Sequence, residues 1–228
     1  MERCKAIILD LDDTLYPERE FVISGFLAAA RWLGGCQDIS VQECADELIA
    51  LFDSEVRGRT FDTWLAQGGF RSDLAVGMLR AYREHTPSIN LHADVEPFVR
   101  DCRNRGMDLG LLTDGYLDVQ QRKVAALNIA HCFRSIVFSD YFGRACWKPS
   151  PVPFQAALSE LGADPDCCVY LGDNPEKDFI GARAAGLKSI RVRRLDGVYR
   201  HREPIDAAAA PDAEIGSLCE VDRILNAI

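Results

Sequence analysis

Short unbroken apolar runs alternate along this chain with stretches whose apolar residues recur every three or four positions. The first run is Ala6-Ile7-Ile8-Leu9, which stops at the acidic cluster Asp10-Leu11-Asp12-Asp13-Thr14. Four more follow, at Leu109–Leu112, Ser135–Phe138, Cys168–Leu171 and Ser189–Val192. Runs of this kind suit parallel strands covered on both faces. Between them, Leu117–Leu127 reads as a helix with Val124 and Leu127 on one face and Lys, Gln and Arg on others. Pro153–Leu161 reads as another, carrying Phe154, Ala157, Leu158 and Leu161. Strands alternating with helices predict βαβ units, hence an α/β fold around a mostly parallel sheet.

The stretch 17–88 breaks this alternation and predicts four helices. Glu18–Leu33 places Phe21, Val22, Leu27, Ala30 and Leu33 inward. A capping box, Ser40-Val41-Gln42-Glu43, opens a second helix through Cys44, Leu48, Leu51 and Phe52. A short third runs Phe61–Ala66 and ends at Gly68-Gly69, and a fourth starts at Ser72 and stops near Thr86-Pro87. The chain therefore divides into 1–16 with 89–228, and an inserted helical module, 17–88.

Composition narrows the class. Of 228 residues, 48% are apolar and 27% charged, enough for a real core and not the profile of a disordered chain. A net charge of −9 argues against a protein that coats nucleic acid or an anionic membrane. The densest basic run, Arg191, Arg193, Arg194, Arg200 and Arg202, reads as a solvated strand edge and turn. The near-apolar stretch Phe21–Ala30 is too short to span a bilayer. Nine cysteines include no C-x-x-C pair and are odd in number, which points to a reduced, cytoplasmic protein. Met1–Lys5 runs into the first strand without a signal-peptide apolar region.

Four motifs carry candidate chemistry, each at or just after a predicted strand end, where open α/β sheets bind ligands. Asp10 and Asp12, two apart, project to the same side; one carboxylate can attack an electrophile while the other handles a proton. The plainer reading is an Asx-rich turn. Thr113-Asp114-Gly115 offers a hydroxyl and backbone N–H groups to a phosphate oxygen, or alternatively caps the next helix. Lys148, one of five lysines against 21 arginines, supplies a compact charge able to neutralise carboxylate and phosphate, or is a surface lysine before Pro149. Gly172-Asp173-Asn174-Pro175-Glu176-Lys177-Asp178 offers hard oxygen ligands suited to Mg²⁺, or an acidic helix N-terminus.

In this order, the four motifs resemble those of the haloacid dehalogenase-like hydrolase superfamily: hhhhDxDxT over Ala6–Thr14, hhhT/S over Gly110–Thr113 with glycine at its first position, the motif lysine as Lys148, and GDxxxxD over Gly172–Asp178. The helical insertion is similar to the branch with an α-helical cap directly after the first strand. The resemblance covers nearly the whole chain. It implies a Rossmann-like core, 1–16 and 89–228, with a small helical cap, 17–88. Asp12–Pro17 also resembles the nucleotidase and sugar-phosphatase side of that branch.

The resemblance implies that Asp10 is a nucleophile forming an aspartyl-phosphate and Asp12 the general acid and base. It implies phosphoryl binding by Thr113, the N–H groups of Asp114 and Gly115, and Lys148. It also implies Mg²⁺ held by the Asp10 carboxylate, the Asp12 carbonyl and Asp173, supported by Asp178. The expected activity is a Mg²⁺-dependent phosphomonoesterase acting on a sugar phosphate, a nucleotide or a similar small metabolite. No nucleic-acid or membrane partner is expected.

Several relatives are disfavoured by particular residues. Carbon–halogen cleaving members lack the second acidic residue, present here as Asp12. Phosphonate-cleaving members use a cap lysine, and none occurs between Lys5 and Lys123. A phosphomutase keeps every motif and stands as the alternative, whereas a non-catalytic binding protein would normally have lost Asp10, Asp12, Lys148 or Asp173. Gly181–Ser189 imitates a P-loop, but Leu187 breaks the register. In the helical module, Arg31, Arg57, Arg59 and Arg71 are candidate contacts for an anionic tail; Phe61 and Trp64 there, and Tyr16 just before it, are candidates to stack on a ring. Solvated arginines and core aromatics are the plainer reading.

Overall fold

Ala6–Leu9 forms strand β1 because four consecutive apolar residues can all be buried only in the middle of a sheet covered on both sides, and all four are. The structure, a computed structural model, describes residues 4–225. Helices α1 (Glu18–Gly34), α2 (Val41–Asp53), α3 (Thr60–Gln67) and α4 (Leu74–Glu84) follow β1. Then come α5 (Val95–Asn104), β2 (Asp108–Thr113), α6 (Leu117–Leu127), β3 (Ser135–Phe138), α7 (Val152–Leu161), β4 (Cys168–Gly172), α8 (Asp178–Ala184), β5 (Lys188–Val192), β6 (Ala213–Ile215) and α9 (Val221–Leu225). The sheet runs β3-β2-β1-β4-β5-β6, with every neighbouring pair parallel. Among the described residues, no helix is long and apolar enough to cross a membrane.

Two units separate by their internal contacts: residues up to Glu18 together with those from Asn90 on, and Arg19–Ile89. The first is the α/β unit. Its sheet core packs Ile8, Leu112, Val137 and Tyr170 with Phe154, Leu158 and Leu161 of α7. The second is all-helical, with Phe26, Ala29, Leu33, Leu48, Trp64 and Met78 at its centre. Its rings meet edge to face, Phe26 with Phe61 at 5.7 Å and Phe21 with Tyr82 at 5.4 Å, the favoured arrangement for aromatic quadrupoles.

Four features depart from the sequence reading. Helix α5 is an additional element: Val95, Phe98, Val99 and Cys102 form its buried stripe, and Pro97 in its first turn costs no intrahelical hydrogen bond. Strand β6 is three residues long, too short for an alternation pattern. The capping box at Ser40 is half made. Ser40 Oγ accepts the Glu43 N–H at 3.3 Å, and the return bond from the Glu43 side chain is not formed. The basic run is solvated only in its turn: Arg200 and Arg202 are exposed, whereas Arg191 and Arg194 are buried and hydrogen-bonded.

Candidate active site

Register places the site. Leu9 of β1 aligns with Leu111 of β2 and Leu171 of β4, so Asp10, Thr113 and Asp173 emerge from three adjacent strands at the same end of the sheet. The Asp10 N–H continues the ladder onto the Leu171 carbonyl at 2.8 Å. Parallel pairing thus brings together residues more than 160 positions apart.

One group centres on Lys148. Its ammonium, fully buried, lies 2.6 Å from Asp10 Oδ1, 2.8 Å from Asp178 Oδ1 and 3.0 Å from the Tyr170 hydroxyl. Tyr170 in turn donates to Asp178 Oδ1 at 2.9 Å, and the Asn174 N–H donates to Asp178 Oδ2 at 2.8 Å. Gly172 leaves room for this, since a Cβ there would stand 2.6 Å from Asp178 Oδ2. Burial pushes the Asp10 carboxyl up to about 7; Lys148 opposes the shift, and Asp178 and Asp12 add to it. Burial would raise Asp178 too, but Lys148, Lys177 and its hydrogen bonds hold it below the usual range. Asp173 is pushed well above that range by burial and by Asp178, Asp10 and Asp13.

These residues fit a divalent cation. Asp10, Asp173 and Asp178 are all buried, with carboxylate oxygens within 4.8 Å of one another. The Asp173 carboxylate accepts no hydrogen bond from any described residue, and three close carboxylates exceed what the two ammoniums of Lys148 and Lys177 neutralise. Hard oxygen donors on a loop are what Mg²⁺ takes. Both Asp178 oxygens are already engaged, so Asp10 and Asp173 are the carboxylates free to ligate and Asp178 braces them.

A second group centres on Asp12, whose carboxylate pairs with α6. Lys123 Nζ lies 2.6 Å from Asp12 Oδ1, and the Tyr16 hydroxyl donates to the same oxygen. Burial would raise the Asp12 pKa; Lys123 and Tyr16 reverse this and hold it low. The Thr113 hydroxyl donates to Gln120 Oε1 at 3.0 Å. Gly115 has φ +131°, and a Cβ there would stand 2.6 Å from Gln120 Nε2, so glycine is required. No described residue accepts the N–H of Asp114 or Gly115, which leaves both for an oxygen ligand. The Asp114 carboxylate ties three loops: it accepts from Ser139 Oγ at 2.6 Å and the Lys148 N–H at 3.0 Å, and faces Lys177 at 3.7 Å.

Outside these groups, buried ionic contacts fix the loops. Asp13, at φ +52°, accepts the N–H groups of Glu18 and Val198. Arg194 grips Asp94 through two nitrogens at 2.6 and 3.0 Å and donates to the Thr14 carbonyl at 2.9 Å. Arg191 donates to the Asp173 carbonyl at 3.1 Å.

Sequence reasoning missed Lys123, Gln120 and Tyr170. The signal for the first two was present: Val119, Gln120, Lys123, Val124 and Leu127 form one buried helical stripe. The ring-binding candidates are core residues instead. Tyr16 is buried against Asp12, Phe61 lies in the helical core, and Trp64 donates to Glu47 at 2.7 Å. Of the arginines, Arg57 lies 3.4 Å over the Phe52 ring and Arg71 pairs with Asp73.

A family model described as haloacid dehalogenase-like hydrolase matches residues 4–186. A phosphoserine phosphatase of Thermus thermophilus is 34% identical over 77% of this chain and 67% of its own length. A glyceraldehyde 3-phosphate phosphatase of Methanopyrus kandleri is 33% identical over 92% of each. Among solved structures, Bacillus subtilis YfnB superposes with a TM-score of 0.69 at 20% identity, over 99% of this chain and 100% of that one.

Proposed function

We propose that this chain, which belongs to the haloacid dehalogenase-like hydrolases, hydrolyses a small phosphomonoester through an aspartyl-phosphate on Asp10. The observation that carries the reading is Asp10 itself: a buried carboxylate at the central strand end, 2.6 Å from the buried ammonium of Lys148 and beside a carboxylate cluster suited to a metal. The two relatives named above for their substrates act on phosphoserine and glyceraldehyde 3-phosphate, both compact phosphomonoesters, and the substrate here belongs to that size class.

The steps follow from the residues. The phosphoryl oxygens sit against the free N–H groups of Asp114 and Gly115, with Thr113 and Lys148 at hand. An Asp10 oxygen attacks phosphorus, the P–O bond to the leaving group breaks, and Asp12 delivers a proton to the departing oxygen. Without substrate, Lys123 and Tyr16 hold Asp12 ionised; a bound phosphate dianion, a like charge, raises its proton affinity. Water then attacks the aspartyl-phosphate, gives its proton to Asp12 and frees Asp10. Mg²⁺ held by Asp10 and Asp173 supplies positive charge to the phosphoryl group. Removing it with EDTA is expected to abolish turnover. We assign Arg19–Ile89 the part of the small helical cap of this family. The nine cysteines, none in a disulfide, support a reducing, cytoplasmic location.

The test is phosphate release from a panel of small phosphomonoesters by wild type and Asp10→Asn, with Mg²⁺ and with EDTA. Release by wild type alone, lost in EDTA, supports the reading. Equal release by Asp10→Asn overturns the covalent step.

A further inference from the structure

We propose that Lys123 is a positioning residue for the proton transfer, holding Asp12 by one carboxylate oxygen so that the other faces the reaction. The inference rests on the phosphomonoesterase reading above. It is carried by how the contacts divide between the two oxygens of Asp12. Lys123 Nζ, at 2.6 Å, and the Tyr16 hydroxyl both donate to Oδ1, whereas Oδ2 takes no hydrogen bond from any described residue. Two donors on one oxygen fix the plane of the carboxylate and leave Oδ2 to exchange the proton.

Lys123 is an expensive place for a charge. It lies on the buried stripe of α6 with 4% of its side chain exposed, one turn from Val119 and one from Leu127. An apolar residue would continue that stripe without desolvating an ammonium. The same face carries Gln120, which receives the Thr113 hydroxyl. A single helix face therefore holds both the proton-transferring carboxylate and the hydroxyl of the phosphoryl loop. A misplacement of about an ångström at such a group costs up to about a hundredfold in rate.

A clamp that merely joined α6 to the first loop would lower the amount of folded enzyme, and so reduce turnover of every substrate by the same factor. A positioning residue behaves differently. Alkyl phosphates need the departing alkoxide protonated, whereas p-nitrophenolate leaves without help. For Lys123→Met, which keeps the apolar stem and removes the charge, kcat is expected to fall about thirty- to a hundredfold for an alkyl phosphate such as phosphoserine. It should fall less than about tenfold for p-nitrophenyl phosphate, with KM for both within about threefold of wild type. Equal losses on the two substrates, or none, overturn the proposal. If Lys123→Met does not fold, Tyr16→Phe is decided by the same criterion: a larger kcat loss on the alkyl ester supports the anchored Oδ1, and equal or absent losses overturn it. Wild type silent on these two esters and on the whole panel above would instead overturn the phosphomonoesterase reading, and this proposal with it.

Discussion

The two units differ in what they bury. The α/β unit buries Asp10, Asp13, Lys123, Lys148, Asp173, Asp178, Arg191 and Arg194. In the helical unit, Arg19–Ile89, no charged side chain is buried and Thr60 is the single buried polar one. Its ion pairs, such as Arg19 with Asp53 at 2.8 Å, are half-exposed and worth little. Its stability comes instead from aromatic and aliphatic packing. Burying a charge costs several kcal/mol unless it is paired and hydrogen-bonded. Most of these charges are matched locally, Lys148 by Asp10 and Asp178, Lys123 by Asp12 and Arg194 by Asp94, and Asp173 is the exception, left for a cation. These pairs converge on loops at one end of the sheet, and the helical unit holds none of them.

The sharpest way to break this comparison is Lys148→Met. It leaves Asp10 and Asp178 buried without their shared cation, so the expected loss is about 3–5 kcal/mol of stability together with about a thousandfold in phosphate release. Denaturant unfolding and steady-state assays read the two losses separately. A stable, active Lys148→Met would show that the buried charges are neither costly nor catalytic.

How much of this was legible in the sequence follows the same division. The strands β1 to β5 and the four helices after β1 were readable because burial on two faces or on one leaves a continuous or a periodic apolar pattern. Asp10, Thr113 and Asp173 were readable because they stand where apolar runs stop, and Lys148 because it is a scarce lysine in the loop after one. What the pattern could not carry was pairing across the fold. The spacing of Lys123 with Val119 and Leu127 puts it on an apolar stripe, but its partner Asp12, 111 residues away, shows only in the fold. Arg194 lies 100 residues from Asp94. Tyr170 reads as a strand aromatic, and only the structure shows its hydroxyl between Lys148 and Asp178.

A second test removes packing without touching charge. Phe26 is buried and meets Phe61 at 5.7 Å, Phe52 at 6.2 Å and Tyr82 at 5.4 Å. Phe26→Ala is expected to cost about 3 kcal/mol, the usual range for a large cavity. Since no titrating group is involved, the deficit should be the same at pH 4 and pH 8.

Asp94→Asn is the charged counterpart, with a smaller effect of about 2 kcal/mol at neutral pH. Burial alone would raise the Asp94 pKa. Hydrogen bonds from Arg194, Ser217 and the Leu218 N–H override it and hold the carboxyl at about 2, against an ordinary 3.8. A folded pKa depressed in this way contributes stability that is complete above about pH 4 and lost as the pH falls through 2. The gap between wild type and Asp94→Asn in urea midpoints should therefore close between pH 4 and pH 2. A gap that stays constant with pH would assign the loss to packing.

The smallest effect compares two helix starts. In the α/β unit, Ser217 and Glu220 form a complete capping box: the Ser217 hydroxyl accepts the Cys219 N–H, and Glu220 receives the N–H groups of Gly216 and Ser217 at 2.9 and 3.2 Å. In the helical unit, Ser40 and Glu43 share the S-x-x-E spacing, but only the Ser40 half is made, and at 3.3 Å. Ser40→Ala should therefore cost about 0.5 kcal/mol, the low end for a lost N-cap. Glu43→Ala should lose only its favourable place near the positive helix end, about 0.3 kcal/mol. Glu220→Ala should cost more than Glu43→Ala, because two backbone N–H groups lose their acceptor at once. Equal melting points for the two glutamate variants would mean that the second box forms in solution, and that the units differ in buried charge but not in how their helices begin.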